Sequence, residues 1–386
     1  MEETDLYYQQ QFLKKIFFAG LALRVLVAVL ISVFGLKDFF GGDATTYDFF
    51  GWQMAQYWHG ILPIIEFPKQ QVGYFYFVGY TYYLFGHYPS VLVAFNCVVG
   101  ALHAVYIYKI SILIFDMPVA ERAAKLTAFF PSLILWSAQM LKDPLIILMI
   151  CMSIYAVLKL HEKFSVSYLV LFLLVVIPLH SFRNYVFYIL AASTLVSFAV
   201  SSKRGFAFGL ITQLVVVAVF GSAILFSGIL DREVDDLTVD NVLKNINIYR
   251  VGLARAATTG FAKEVDVSTP KGALTVLPLG FTYLMLAPFP WQITNVRQAI
   301  TLPEMLLWWS MLPFLVRGLY QVIKNRIRGA TVLLLFAGNL LLIYSIFQGN
   351  VGTAYRQRAQ IMIFLFILIA YGYQVWIDKR QERVEL

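Results

Sequence analysis

The sequence predicts an all-α polytopic membrane protein, and three observations carry that expectation. Sixty per cent of the 386 residues are hydrophobic and 13% are charged, too little charge to cover a water-facing surface. Mean hydropathy is +0.73. Apolar runs of about 20 residues, enough to cross ~30 Å of hydrocarbon as helix, recur along the whole chain without the strict alternation of a membrane barrel. We expect a single transmembrane domain over residues 1–386, with about ten transmembrane helices plus interfacial or re-entrant helices.

The first span is expected at 16–36. It is too long for the apolar core of a signal peptide and is read as a retained helix. Lys14 and Lys15 precede it, and Asp38, Asp43, Asp48 and Glu66 follow, which puts the N-terminus in the cytoplasm and the acidic segment outside. Arg24, inside the span, is expected to snorkel back towards water. Residues 37–87 then form the first extracytoplasmic loop. Its apolar part, 72–85, is only about 21 Å long as helix and is rich in Tyr and Phe, so it suits the interface better than the bilayer core.

Further spans are expected at 89–115, 119–138, 143–160, 165–180, 184–200 and 205–228. This count keeps Lys109, Arg122, Lys125, Lys159, Lys163, Lys203 and Arg204 inside. Residues 229–302 make a second extracytoplasmic loop, with short helices lying over the membrane face in 229–272. The apolar stretch 274–291 is expected to be re-entrant or interfacial, because Pro278, Pro288 and Pro290 remove helix hydrogen bonds that lipid cannot replace. Spans at 303–322, 329–347 and 359–377 complete the chain, with both termini cytoplasmic.

The net charge of +8 does not point to nucleic acid. The basic residues lie in small groups between apolar runs, which is the pattern of topology. Cys97 and Cys151 each sit inside an apolar run and read as small hydrophobes. No disulfide framework or CxxC metal site is present.

With this topology Asp43, Asp48, Lys142, Asp143, His180, Arg183, Arg356 and Arg358 share the outer membrane level. Ionisable groups at the edge of hydrocarbon are costly unless paired or wet, so such a ring marks a functional site. Asp43 follows Gly41 and Gly42 and suits either a general base or a helix cap. Asp143, ahead of Pro144, is explained more cheaply as a cap than by chemistry, whereas Lys142 is less easily explained that way. Arg183, beside a span, has a simple reading as an interfacial anchor. Arg356 and Arg358 defy the positive-inside rule, and forked guanidinium groups hold phosphate oxygens. Pairing with Asp43 or Asp143 is the structural alternative. Glu304, after Pro303, reads as a dipole or capping residue.

Several of these residues lie in motifs: Gly42-Asp43-Ala44 with Tyr47, Pro131-Ser132 with Trp136-Ser137, Leu141-Lys142-Asp143-Pro144-Leu145, Pro288-Phe289-Pro290-Trp291, and Gly349 to Arg356 with Arg358. Together they resemble the GT-C superfamily of integral membrane glycosyltransferases, nearest to the family-39-like proteins of bacterial polysaccharide clusters. The resemblance implies transfer of a sugar from a polyprenyl-phosphate-linked donor to an acceptor at the extracytoplasmic face of the bacterial inner membrane. It makes Asp43 the base and Asp143 a second site acid, with Lys142, Arg183, Arg356 and Arg358 towards the donor phosphate and Asp48 and His180 beside them. The chain departs from many members in lacking a large C-terminal soluble domain and a second acidic residue paired with the first in the loop, which leaves the acceptor and the use of a divalent metal open. A polysaccharide polymerase or ligase acting on lipid-linked oligosaccharide would use the same arginines. A transporter or lipid-carrier flippase is the reading from another class, discriminated by a cavity reaching both membrane faces.

Overall fold

In the computed structural model the protein is described over residues 3–40, 42–63, 72–201, 239–256, 259–293 and 295–384. The first half runs α1 (Glu3–Val33), α2 (Lys37–Phe40), α3 (Gly42–Trp58), α4 (Gly73–Phe85), α5 (Pro89–Ile114), α6 (Met117–Phe129), α7 (Pro131–Ser137), α8 (Asp143–Glu162), α9 (Val166–Phe182) and α10 (Asn184–Ser201). The second half adds α11 (Val239–Ala256), α12 (Pro270–Leu286), α13 (Val296–Ala299), α14 (Leu302–Lys324), α15 (Thr331–Phe347), α16 (Val351–Gln357) and α17 (Ala359–Val384). Six helical segments among the described residues are long and apolar enough to cross a membrane: 4–33, 89–114, 143–162, 296–324, 328–347 and 359–384. α9 and α10 are apolar but shorter. The span expected at 205–228 lies outside the described residues.

The core is built on α17. Every residue from Ala359 to Ala370 is buried, the mark of a helix surrounded by other helices. It packs most extensively on α14 and then on α6. On the other side α8 lies between α5 and α9, and α1 lies against α5.

Three expectations are corrected. The single span at 119–138 is two helices, α6 and α7, because Pro131 cannot donate to the preceding turn and its predecessor Phe130 is extended. Arg24 does not snorkel but is fully buried. Its Nε donates to Ser137 Oγ at 2.9 Å, and its Nη1 donates to the Gly20 and Ala128 carbonyls at 2.9 and 3.0 Å, so α1 is tied to α6 and α7. Finally, Pro278 lies within the continuous helix α12, which ends only before Pro288.

The end of α12 explains Arg358. The last carbonyls of a helix have no partner in the helix itself. Here Arg358 Nη1 donates to Met285 O and Ala287 O, both at 3.1 Å, and the indoles of Trp308 and Trp309 donate to Met285 O and Leu286 O at 2.7 and 3.1 Å. A buried cation is favourable at that negative helix end. Glu304 acts likewise at the opposite pole of another helix. Its Oε2 accepts the Ser132 N–H of the α7 first turn at 2.7 Å, so it serves α7 and not α14, in which it resides.

Candidate active site

α3 carries the first carboxylate. The helix is seated on α4 by close contact at two glycines: a Cβ on Gly51 would lie 2.2 Å from Val78 Cγ1, and one on Gly79 would lie 2.9 Å from Met54 Sδ. Tyr47, buried on the same side, meets Tyr74 edge-on at 4.7 Å between ring centroids. Asp43 falls in the first turn of α3, where a negative charge suits the free N–H groups.

The turn between α7 and α8 carries Lys142 and Asp143. α5 fixes it: Asn96 Nδ2 donates to Gln139 O and Leu141 O at 2.7 and 2.8 Å, and His103 Nε2 lies 2.8 Å from Pro144 O. Lys142, at the cap position of α8, makes no side-chain cap hydrogen bond. Asp143 opens α8 but reaches away to two cations outside that helix. Arg183, between α9 and α10, places Nη2 at 3.0 Å from Asp143 Oδ1.

Arg356 comes from α16, which a short strap holds in place. Asn350 Oδ1 accepts from the Gly352 N–H at 2.9 Å and from Thr259 Oγ1 at 2.8 Å. Phe261 N donates to Gly349 O at 2.9 Å and Val351 N donates to Thr259 O at 3.2 Å. Arg250 holds the strap from below, donating to Ala262 O at 3.0 Å and to Val265 O at 3.2 Å. A Cβ on Gly260 would sit 1.9 Å from Ala254 O, so the strap approaches α11 only because this residue has no side chain.

These elements bring four ionic groups into one chain of contacts. Arg356 Nη1 lies 2.6 Å from Asp43 Oδ2, and Arg356 Nε lies 3.3 Å from Asp143 Oδ2. The second contact is a charge pairing without the alignment of a hydrogen bond. Gln360 Nε2 donates to Asp143 Oδ1 at 3.3 Å, and Tyr344 links Arg183 to Gln360 by contacts of 3.4 and 2.9 Å. Asp143 and Arg183 are each about 3% exposed at the side chain, whereas Asp43 is 47% exposed. The buried pair is therefore the scaffold, and Asp43 is the member open to a ligand.

A cavity of about 330 Å³ opens over this chain, lined by Asp43, Tyr47, Lys142, Arg183, Tyr249 and Arg356 among others. Burial, and next Arg183, lowers the Lys142 ammonium to about 7, against the opposing pull of Asp143. Burial alone would pull Arg356 down, but Asp143 and Asp43 outweigh it and hold its guanidinium above the ordinary arginine value. With Lys142 protonated, three cations face two carboxylates. The cavity then attracts an anion, and forked guanidinium groups fit phosphate oxygens.

Of the eight residues singled out in the sequence, Asp43, Lys142, Asp143, Arg183 and Arg356 meet here. Three do not. Arg358 is occupied at the end of α12. His180 packs edge-on against Phe187 and Tyr188, at 5.2 and 5.9 Å between centroids. Asp48 lies on another face of α3, where the Tyr82 hydroxyl donates to it and His87 Nε2 lies 2.9 Å away. Sequence reasoning missed Gln360 and Tyr344, which orient Asp143 and Arg183. It also missed Tyr249 and Tyr185 in the cavity wall. Nothing in their spacing separates them from packing residues, although Tyr185 and Gln360 each stand two positions from a flagged arginine. Among the described residues no group of three or more His, Cys, Asp or Glu side chains is placed to hold a metal ion.

Among the described residues the chain is helical, with six segments long and apolar enough to cross a membrane, and its carboxylates and cations meet where several helices begin or end. Residues 69–230 match the family model for dolichyl-phosphate-mannose-protein mannosyltransferase. That stretch contains Lys142, Asp143 and Arg183 but neither Asp43 nor Arg356. No curated protein matches the chain. Among solved structures, the archaeal oligosaccharyltransferase AglB from Archaeoglobus fulgidus, in complex with an inhibitory peptide and a dolichol-phosphate, superposes with a TM-score of 0.57 at 13% identity over 98% of this chain. The apo form of the Archaeoglobus fulgidus oligosaccharyltransferase gives a TM-score of 0.58 at 13% identity over 100% of this chain. The chain spans about half the length of these structures, 51% and 52%. The likeness to these structures is one of fold, carried over nearly the whole of this chain.

Proposed function

We propose that the protein is a glycosyltransferase that moves a sugar from a polyprenyl-phosphate-linked donor to an acceptor hydroxyl at the extracytoplasmic face of a bacterial inner membrane. The observation that carries this reading is Arg356, which touches both Asp43 and Asp143 inside a cavity shared with Arg183 and Lys142. The dolichol-phosphate held by the AglB structure supports a lipid phosphate as the anionic partner.

In this mechanism Arg356 and Lys142 receive the donor phosphate, and Arg183, held by Asp143, adds its charge from the cavity wall. Asp43, the exposed carboxylate, takes the proton of the acceptor hydroxyl. The oxygen attacks the anomeric carbon as the bond from that carbon to the phosphate oxygen breaks, and the electron pair leaves on the phosphate. The cations stabilise the charge that develops there. Attack opposite the leaving group inverts the anomeric centre. Asp143 keeps Arg183 and Arg356 in place, so its role is positioning.

The test is turnover by the purified chain in lipid nanodiscs with polyprenyl-phosphate-linked sugars, read as released polyprenyl phosphate. Asp43→Asn is expected to cut release about 10²–10⁴-fold. Retained turnover in that variant removes Asp43 as base and favours a ligase or polymerase that needs only the phosphate-binding cations.

A further inference from the structure

A second cleft lies on the far side of α3 from the phosphate cavity. It has a volume of about 410 Å³ and is walled by α1 (Val25, Ala28, Val29), α5 (Val93, Ala94, Cys97) and the start of α3. Its walls are mostly apolar, and Val25 and Val29 are also exposed on the outer surface of the bundle. The cleft therefore opens sideways into the hydrocarbon, where a lipid chain enters without crossing water.

Its upper end is polar, formed by Lys37, Asp48, Ser90 and Gln139. The Asp48 carboxylate is held by Tyr82 and by His87, and His87 is itself stacked on Trp52 at 4.7 Å between centroids. This end differs in charge from the phosphate cavity: one carboxylate faces one lysine, where the other site sets three cations against two carboxylates. A phosphate is thus drawn to the Arg356 side, while oriented carboxylate, amide and hydroxyl groups suit sugar hydroxyls.

The two spaces share the first turns of α3. Asp43, Thr46 and Tyr47 line the phosphate cavity, and Ala44, Thr45 and Asp48 line the cleft. Asp43 and Asp48 are separated along the helix by about 7.5 Å and in rotation by about 140°. A head group at the top of the cleft therefore reaches Asp43 around the helix N-terminus.

We propose that the cleft between α1, α3 and α5 is the acceptor site, and that the acceptor is a membrane lipid carrying an uncharged, hydroxylated sugar head. Its chain lies along α1 and α5, and its head hydroxyl meets Asp43 past Ala44 and Thr45. This rests on the transferase reading for its purpose, but binding to the cleft is measurable without a donor.

The experiment uses the full chain in nanodiscs and a long-chain alkyl glycoside with a photoreactive group in the chain. Crosslinks are expected within 25–32 and 89–97. They are competed by the unlabelled glycoside and not by an alkyl phosphate of the same length. Ala94→Trp, which fills the cleft, is expected to cut labelling about tenfold or more, a loss of at least ~1.4 kcal/mol of binding. Equal competition by the alkyl phosphate, or unchanged labelling in an Ala94→Trp protein that elutes like the parent, overturns the proposal. Should Ala94→Trp not fold, the volume-conserving Asp48→Asn decides: glycoside affinity is expected to fall severalfold, and an unchanged affinity overturns the assignment. Failure of the donor reading shows separately, as phosphodiester binding that ignores Arg356→Ala.

Discussion

The Arg356 guanidinium lies 2.6 Å from the Asp43 carboxylate, so the group that would bind phosphate and the group that would take a proton neutralise each other before substrate arrives. A donor phosphate competes with Asp43 for Arg356 and, by winning, releases the base. Removing the competitor is then expected to tighten donor binding. For Asp43→Asn, titration with a non-hydrolysable phosphodiester lipid is expected to show severalfold higher affinity, while turnover falls about 10²–10⁴-fold. Weaker binding in this variant would show that Asp43 assists the donor.

Arg356 and Arg358 are two residues apart and are expected to fail differently. Arg356→Ala removes a fork that faces the cavity, so donor KM rises about tenfold or more with little change in melting temperature. Arg356→Lys recovers part of this, since charge returns without the fork. Arg358→Met instead takes the donor from the Ala287 carbonyl at the end of α12, and Met285 O keeps only Trp308. Its thermal midpoint falls, and the folded fraction keeps the parental KM.

Asp143 stands between Arg183 and Arg356 at about 3% exposure. Taking it away leaves buried cations without their counter-charge, a loss of about 3–5 kcal/mol for breaking such a pair. Asp143→Asn is expected to lower the denaturation midpoint clearly in the absence of any substrate. An unchanged midpoint with lost turnover would make Asp143 a catalytic acid and not a positioning residue.

Lys142 should give donor binding a pH dependence. Burial, with Arg183 beside it, lowers its ammonium from an ordinary 10.5 to about 7, so it is neutral above that pH and charged below it. A phosphodiester keeps its single negative charge throughout. Affinity for a phosphodiester lipid is therefore expected to rise as pH falls through about 7, and Lys142→Met is expected to flatten the profile. Stability moves the opposite way. A lowered folded value means that the unfolded chain binds the extra proton, so stability falls as pH drops from about 10.5 to about 7 and is level below. A flat parental binding profile would remove Lys142 from the phosphate site.

The sequence by itself determined a multi-pass helical membrane protein, and its expected topology set the candidate residues at one membrane level. Hydrocarbon thickness fixes span length, and loop lysines and arginines fix orientation. Those two constraints alone put Asp43, Lys142, Asp143, Arg183 and Arg356 at one level. They also put Asp48, His180 and Arg358 there, and could not tell the two groups apart. That choice belongs to the tertiary structure, because each residue turns a helix by about 100° and sequence does not say which neighbour a given face meets. Thus Asp43 faces Arg356 while Asp48 faces His87, and Arg356 reaches the cavity while Arg358 closes the end of α12. The burial of Arg24 against Ser137 was decided the same way, by a carbonyl and a hydroxyl that only packing brings within reach.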